Sequence, residues 1–391
     1  MSEWKKVKLG DICDSQYGYT ASTIEDNTGT KFLRITDIVP NQIDWDAVPF
    51  CNISNKERDK YILHKGDIVV ARTGATVGYA KYIKQDVQSV FASYLVRFVV
   101  KREDVFSQYV GYCVESSLFK DYINSIANGS AQPNANSQMM SSFEFIIPSL
   151  PTQHHIAAIL SRYDSLIENY QKQIKLLEEA AQRLYKEWFV DLHFPGHENT
   201  KIIDGVPEGW EKKRLSDIAN IIMGQSPKSE FYNTEGDGIP FHQGVGSYGY
   251  RFVVDNVYST SFTRIAEPNS ILFSVRAPVG RLNITKNKIV IGRGLASINH
   301  KMGYQSYLYY LLKEKFFKDN IIGNGAIFAS ISKDELYNLV FFIPSDEMVK
   351  RYEAIANKID KNIQSVDSQI RLLTEARDRL LPKLMSGEIA V

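Results

Sequence analysis

The chain has 391 residues, 44% hydrophobic and 12% aromatic, a composition that supplies more than one folded core and excludes an intrinsically disordered protein. Its formal net charge of +1 gives no general attraction for nucleic acid, so a DNA-binding role has to be argued from organisation. No apolar run approaches the roughly 20 residues that span a bilayer, and the N-terminus carries no apolar signal segment. We therefore expect a cytoplasmic protein without membrane contact, which also suits three scattered cysteines.

Short apolar segments rich in Val, Ile, Tyr and Phe, separated by turn residues, fill the first 150 residues. This pattern predicts strands within residues 31–38, 66–72 and 92–100. A helix is predicted over residues 106–123. The mixture of both element types, with irregular connections, predicts an α+β domain.

A long helix is predicted next, over residues 152–188, because apolar side chains recur there every seven positions. The two interleaved series are Leu160, Ile167, Ile174, Ala181 and Trp188, and Ile156, Tyr163, Tyr170, Leu177 and Leu184. Such a seam is typical of a coiled coil. The alternative is that the helix packs only on its own globular domain.

The second half of the chain follows the same plan. Strands are predicted within residues 270–276 and 339–343, and a helix over 304–317. A second long helix carries the apolar series Ile363, Ile370 and Leu384 with Ile359, Val366, Leu373 and Leu380. Arg377 occupies a seam position in this series, and Pro382 predicts that the helix kinks or ends nearby.

Motifs recur in the same order in the two halves, which indicates an internal duplication. Residues 4–12 (WKKVKLGDI) return as 210–218 (WEKKRLSDI), and residues 66–72 (GDIVVAR) return as 269–276 (NSILFSVR), which makes Arg276 the expected counterpart of Arg72. Further pairs are 128–131 with 324–326, 145–148 with 341–344, and 175–180 with 371–376. The last two pairs share one spacing of 196 residues (344 − 148 and 371 − 175). One unit of about half the chain has been duplicated.

Two segments carry a resemblance to a known family. Residues 179–196 (EAAQRLYKEWFVDLHFPG) resemble the segment that ends the central conserved helix in specificity subunits of type I restriction–modification enzymes. Residues 380–389 (LLPKLMSGEI) resemble the C-terminal signature of that family. The succession of domain, helix, domain and helix is similar over the whole chain.

The resemblance implies two pseudo-two-fold-related target-recognition domains separated by two long antiparallel coiled-coil helices. The corresponding boundaries are 1–150 for the first recognition domain, 151–192 for the central helix, 193–208 for a linker, 209–345 for the second recognition domain and 346–391 for the C-terminal helix and tail. We expect the helix seam to bind its partner through Leu160, Ile167, Ile174, Leu177 and Leu184 on one helix, and Ile363, Ile370, Leu373 and Leu380 on the other.

The resemblance also implies partners and a division of labour. The partners would be double-stranded DNA, two methylation subunits and a restriction subunit that translocates DNA. Because the loops of the two copies differ, the target should be bipartite and asymmetric. The chain itself should hold no cofactor, whereas S-adenosylmethionine, ATP and magnesium would belong to the partner subunits. The alternative is a coiled-coil scaffold with two protein-binding globular ends.

Polar loops that follow predicted strands are the candidate DNA contacts. Side chains in such loops can pair with base edges, Arg with guanine and Asn or Gln with adenine. The candidates are Arg72, Thr73, Ser130, Gln132 and Asn134 in the first domain, and Gln225, Lys228, Arg276, Arg281 and Arg293 in the second. The alternative is ordinary turn chemistry, in which each Arg pairs with a nearby carboxylate.

Enzymatic interpretations find less support in the sequence. Residues 244–249 match GxGxxG but precede a β-like run rather than a helix, which removes the phosphate-binding logic of a dinucleotide site. No Asn/Asp-Pro-Pro-aromatic tetrapeptide and no Gly-rich ATP-binding loop occur in the sequence. We therefore expect a recognition subunit without a catalytic site and without a metal site.

Overall fold

A computed structural model of the chain describes residues 4–40, 42–127, 133–316, 330–389 and 391. The chain divides into two compact units. Unit 1 comprises Met1–Asn169 and Ile370–Val391, and unit 2 comprises Tyr170–Gln369. Each unit therefore contains one domain of mixed helices and strands together with a part of each long helix.

The domain of unit 1 is built on an antiparallel sheet. Its strands are β1 (Lys5–Lys8), β2 (Cys13–Tyr17), β3 (Lys31–Leu33), β4 (Ile68–Ala71), β5 (Ala80–Tyr82), β6 (Ser89–Phe91), β7 (Leu95–Val100) and β8 (Glu144–Ile147). Its helices are α1 (Leu9–Ile12), α2 (Ile35–Ile38), α3 (Asn55–Tyr61), α4 (Ser107–Glu115), α5 (Ser117–Ala127) and α6 (Ser137–Ser141), followed by the long α7 (Leu150–Phe189). Strands β2, β7, β4 and β5 form the main sheet in that order, and β1 pairs with β8.

Unit 2 repeats this plan with additional short strands. They are β9 (Ile202–Ile203), β10 (Val206–Pro207), β11 (Glu211–Arg214), β12 (Ala219–Met223), β13 (Tyr232–Asn233), β14 (Ile239–His242), β15 (Tyr258–Ser259), β16 (Ile265–Ala266), β17 (Ile271–Ser274), β18 (Leu282–Ile284), β19 (Ile289–Ile291), β20 (Leu295–His300) and β21 (Val340–Ile343). The helices are α8 (Leu215–Ile218), α9 (Gln305–Phe316), α10 (Lys333–Tyr337) and the long α11 (Asp346–Ser386). The main sheet has the order β12, β20, β17, β18, and β11 pairs with β21.

The order and pairing of the strands in the main sheet are the same in the two units. Each domain begins and ends in one pair of strands. In the β1–β8 pair Val7 lies opposite Phe145, and in the β11–β21 pair Lys213 lies opposite Phe341. Both pairs are antiparallel, so the chain enters and leaves each domain side by side. The common topology confirms the duplication that the sequence motifs predict.

The core of unit 1 includes the last turns of α11. Leu384 and Met385 are buried in one apolar cluster with Ile156 and Leu160 of α7. Trp4 packs against the same cluster, and a Cβ at Gly387 would lie 2.9 Å from the Trp4 ring. The end of the chain therefore lies beside its beginning within unit 1, as the duplication predicts.

An aromatic cluster joins the two long helices to the domain of unit 2. Tyr185 of α7 and Tyr352 of α11 contact Tyr307 of α9, with ring centroids about 6 Å apart. The Tyr352 hydroxyl donates a hydrogen bond to the Ala181 carbonyl at 3.2 Å. Because burial removes the phenolate form from water, the pKa of Tyr185 is raised far above its ordinary value. These rings are neutral packing groups.

Two predicted elements differ from the observed ones, and a third ends close to its predicted end. Residues 35–38 form the short helix α2, because the Asp37 carboxylate accepts a hydrogen bond from the Arg34 backbone N–H at 2.8 Å and closes a helical turn. The helix predicted over 106–123 is interrupted at Ser116, which has extended backbone angles. Helix α11 ends at Ser386, four residues after Pro382, and burial of Leu384 and Met385 holds this last turn. Within the described ranges, no helix has both the length and the apolarity needed to cross a membrane.

Candidate nucleic-acid interface

Polar loops converge at one end of the main sheet in unit 1. Strand β2 ends at Tyr17 and β4 ends at Ala71, and β7 begins at Leu95. Because neighbouring strands are antiparallel, these three positions lie at the same edge of the sheet. We call the side chains that follow or precede them, Tyr17, Arg72, Thr73, Tyr94 and Asn134, the unit 1 strand-end cluster.

Backbone hydrogen bonds hold this cluster together. The Arg72 N–H donates to the Tyr94 carbonyl at 3.0 Å, and the Ala135 N–H donates to the Arg72 carbonyl at 2.9 Å. Thr73 and Asn134 pair as an isolated antiparallel bridge. Two loops that are about sixty residues apart in sequence are thus fixed against each other. The predicted candidates Ser130 and Gln132 lie outside the described residues.

Arg72 is held by an aromatic ring. Its guanidinium lies 4.8 Å from the centroid of the Tyr17 ring. Hydrogen bonding from Ser137 and the nearby Arg72 charge lower the pKa of Tyr17, whose hydroxyl accepts from the Ser137 N–H at 3.0 Å. Among the described residues, the buried Nε of Arg72 has no hydrogen-bond partner. Within the described residues, no carboxylate pairs with Arg72 of the kind that the sequence-based alternative expects.

The corresponding edge of the unit 2 sheet carries a second group of polar side chains. Gln225 and Lys228 follow β12, Arg276 follows β17, and Arg293 precedes β20; all four are exposed. The Arg293 N–H donates to the Ser226 hydroxyl at 3.2 Å, and the Gln225 N–H donates to the Ile291 carbonyl at 2.9 Å. These four side chains form the unit 2 strand-end cluster.

The hydrogen bonds correct one predicted equivalence between the halves. In unit 2 the Val275 N–H donates to the Gly294 carbonyl, and the Val275 carbonyl accepts from the Ile331 N–H. In unit 1 the backbone of Arg72 makes the two corresponding hydrogen bonds. Val275 is therefore the counterpart of Arg72, and Arg276 is the counterpart of Thr73, since both form the isolated bridge to the following loop. The sequence comparison aligned Arg72 with Arg276 because the unit 2 loop is one residue shorter.

A glycine at the same place in each unit lets the loops approach. A Cβ at Gly18 would lie 2.1 Å from the Ala92 carbonyl oxygen, and one at Gly224 would lie 2.1 Å from the Gly292 carbonyl oxygen. Real side chains cannot occupy such a position, so only glycine permits the chain to cross here. This close approach places Gly18 against Ala92, two residues before Tyr94, and Gly224 against Gly292, next to Arg293.

Arg281 lies outside the unit 2 strand-end cluster, and Lys228 of the cluster has a charged neighbour. Arg281 lines a pocket of about 370 Å³ together with Glu178, Asn283 and Lys313. Its backbone N–H donates to the Ser274 hydroxyl at 2.8 Å, at the start of the edge strand β18. Lys228 lies 3.9 Å from the exposed Glu230 carboxylate, a contact that water screens.

Sequence reasoning did not find a buried polar network next to the unit 2 cluster. His242 bonds to the Ser247 hydroxyl at 2.8 Å through Nδ1 and to the Asp255 carboxylate at 3.0 Å through Nε2. The His242 carbonyl also accepts from the Gly292 N–H, next to Arg293. The network ties three loop segments to β14 and so supports the strand-end cluster. A lone His in a strand gave no signal for it. Across the described ranges, no group of three or more His, Cys, Asp or Glu is arranged to hold a metal ion.

Comparison with known proteins agrees with this organisation. The family model described as the type I restriction modification DNA specificity domain matches residues 1–179 and again 207–380. The putative MjaX specificity subunit of Methanocaldococcus jannaschii is 29% identical over 100% of this chain and 94% of its own length. The HindI specificity subunit of Haemophilus influenzae is 23% identical, with 100% of both chains covered.

A solved structure has the same fold. The crystal structure of the type I restriction–modification S subunit from M. genitalium superimposes with a TM-score of 0.55 at 16% identity, covering 98% of this chain and 96% of that one. With the repeated sheet and the two matched segments, the class is that of a duplicated DNA-recognition protein. The chain belongs to the type I restriction–modification DNA specificity family.

Proposed function

We propose that this chain reads a bipartite, asymmetric DNA site, one half with each strand-end cluster, for a type I restriction–modification complex. The observation that carries the proposal is that the same sheet edge is built twice with different side chains. Tyr17, Arg72 and Tyr94 stand at the edge in unit 1, whereas Gln225 and Arg293 stand there in unit 2. Two similar frames with different side chains suit two different half-sites.

The chemistry of the clusters supports contacts with bases as well as phosphates. Phosphate contacts position a protein on DNA, but only side chains at base edges distinguish sequences. Arg72, Arg276 and Arg293 offer the forked donors that match guanine, and Gln225 and Asn134 offer the amides that match adenine. Exposed Tyr94 adds a ring that can pack against sugar or base.

The proposal assigns the recognition domains to residues 1–150 and 209–345, joined by a linker at 193–208. The helices at 151–192 and 346–391 would form the coiled coil that separates them. Burial of Leu160, Ile167, Ile174 and Ile363, each no more than 4% exposed, supports this seam.

The partners of the proposal are two methylation subunits, which would transfer a methyl group to adenine N6, and a restriction subunit that translocates DNA. S-adenosylmethionine, ATP and magnesium would be bound by those partners, and the complex would act in the cytoplasm, where the DNA lies. The methylation partner would have to swing the target adenine out of the base stack to reach N6. Recognition and chemistry would then reside on different chains.

Mapping N6-methyladenine in host DNA, with and without this gene, tests the proposal. We expect one bipartite, non-palindromic motif with a fixed gap that disappears when the gene is deleted and returns with a plasmid copy. The matched control is a deletion of the restriction subunit, which should leave the methylation pattern intact. A methylation pattern that is unchanged after deletion of this gene contradicts the proposal.

A further inference from the structure

Each unit contains a tyrosine that binds an aspartate of a long helix. The Tyr112 hydroxyl of α4 donates to Asp164 of α7 at 2.6 Å, and the Tyr310 hydroxyl of α9 donates to Asp360 of α11 at 3.2 Å. The two aspartates are 196 residues apart (360 − 164), the spacing of the duplicated motifs. The same bond therefore ties each recognition domain to a helix within its own unit.

The cation that faces each aspartate comes from a different element. In unit 1 Arg377 of α11 pairs with Asp164 at 2.9 Å. It is the residue that interrupts the apolar seam, and the pair explains why a charge is tolerated there. Asp378 also contacts the Arg377 guanidinium at 2.8 Å. The unit 1 anchor, Tyr112, Asp164 and Arg377, thus contains one residue from the domain and one from each long helix.

In unit 2 the cation comes from a loop of the recognition domain itself. Arg251 pairs with Asp360 of α11 at 2.7 Å and with Glu178 of α7 at 3.2 Å. Only 2% of Arg251 is exposed, and its guanidinium lies 3.5 Å from the Tyr309 ring centroid. The unit 2 anchor, Tyr310, Asp360 and Arg251, again contains one domain helix and, through Glu178, both long helices.

Ion pairs that are buried, as that of Arg251, or half-buried, as that of Arg377, define geometry more than they add stability. Taking two charges out of water costs about as much as their attraction returns, whereas a hydrogen-bonded pair is satisfied in only one orientation. Apolar packing tolerates small rotations of a domain about a helix, and a guanidinium that donates hydrogen bonds to two carboxylates does not. The two anchors are therefore suited to fixing the angle at which each domain meets its helices.

The angle matters for a bipartite DNA site. Moving a half-site by one base pair displaces it by about 3.4 Å and rotates it by roughly a tenth of a turn. We propose that the two anchors are positioning sets that fix the length of the gap between the half-sites, an inference that rests on the proposed function. The strand-end clusters would contact the bases, and the anchors would determine how many base pairs separate the two half-sites.

Full-length variants co-produced with the methylation subunits in a host lacking adenine methylation test this inference. Arg251→Met and Tyr310→Phe loosen the unit 2 anchor, and Arg377→Met and Tyr112→Phe loosen the unit 1 anchor. We expect unchanged half-site sequences but at least about tenfold more methylation at sites whose gap is one base pair longer or shorter, because hydrogen bonds to charged groups contribute on that scale. The Tyr→Phe variants remove one hydroxyl and provide the measurement if an Arg variant folds poorly.

Arg351→Met and Arg371→Met are matched controls. Both remove an Arg of α11 from an exposed pair with a Glu one turn away, so the gap should stay fixed. If the anchor variants lower methylation equally at every site and keep a single gap, the anchors serve stability alone and the inference is wrong. A wild-type complex that methylates no bipartite motif would instead contradict the proposed function itself.

Discussion

At the scale of single residues, the DNA contact that we propose for Arg72 would be made by a side chain that the fold already holds in place. Its guanidinium lies over the Tyr17 ring and its backbone is bonded on both sides, to Tyr94 and Ala135. A long cationic side chain in free solution loses rotamer freedom when it binds. An Arg side chain that is already stacked on a ring loses less rotamer freedom on binding. This favours a contact of defined geometry with a base over a general contact with phosphate.

Replacing Arg72 by Ala should weaken DNA binding of the assembled complex by about 1–3 kcal/mol if the residue reads a base. The loss should be confined to targets that carry the first half-site, and Arg276→Ala should act on the other half-site. Binding to variant DNA duplexes at several salt concentrations provides the measurement. Arg102→Ala is the control, since Arg102 follows the opposite end of β7. An equal loss on all DNA, with a shallower salt dependence, would identify a phosphate contact instead.

His300 gives the stability of unit 2 a pH dependence. Burial, opposed by the Asp346 carboxylate, lowers the pKa of His300 to about 4, and its Nδ1 accepts a hydrogen bond from the Met302 N–H. The unfolded chain, with an ordinary His pKa of about 6.5, takes up the proton first as the pH falls. The contribution of neutral His300 to the free energy of unfolding is therefore fully present above about pH 6.5 and is lost as the pH falls from about 6.5 to about 4. We expect urea unfolding of His300→Gln to be less pH-dependent in this window than that of the wild type, whereas parallel profiles would contradict the assignment.

At the scale of elements, periodicity located the long helices better than any other feature. The predicted range 152–188 compares with Leu150–Phe189, because a seven-residue repeat is a local property that survives in the fold. The Arg377 exception could not be explained locally, since its partner Asp164 lies more than two hundred residues away. A seven-residue repeat of apolar side chains predicts a helix, but it does not predict the partner of a charged residue that interrupts the repeat.

The candidate interface was predicted only in pieces. Thr73 and Asn134 were each singled out as loop residues, but their bridge depends on the pairing of β2, β7 and β4, which is long-range. The alignment of Arg72 with Arg276 was wrong because a one-residue difference in loop length is invisible until the backbone bonds are known. Polar composition predicts where loops lie, whereas sheet topology decides which loops meet.

At the scale of the whole molecule, each long helix needs the other. In unit 1 the apolar cluster of Leu160 is completed by Leu384, and Asp164 is neutralised by Arg377. A fragment ending near residue 200 lacks α11 and would leave this face open. Exposing buried side chains such as Leu160, Ile167 and Ile174 costs roughly 1.5–3 kcal/mol each.

We expect this fragment to dimerise through antiparallel copies of α7 and, with methylation subunits, to direct methylation to a palindromic site. By the duplicated spacing, Ala181 would occupy the place of Arg377, so Asp164 would lack its cation. Ala181→Arg should restore the pair across the dimer and tighten association, which analytical ultracentrifugation can measure. Lys172→Arg, at an exposed position on the same helix, is the control. A folded monomer at micromolar concentration would contradict the paired-helix architecture.

The paired strands at the base of each domain have a consequence for inheritance. β1 pairs with β8, and β11 pairs with β21, so the two ends of each recognition domain lie side by side. The whole domain between these ends is encoded by one uninterrupted stretch of the gene. Recombination that replaces such a stretch would exchange an entire half-site preference while leaving the helices and their seam as they were. New DNA specificities could then arise by transfer of coding segments between related genes, without the gradual alteration of any single loop.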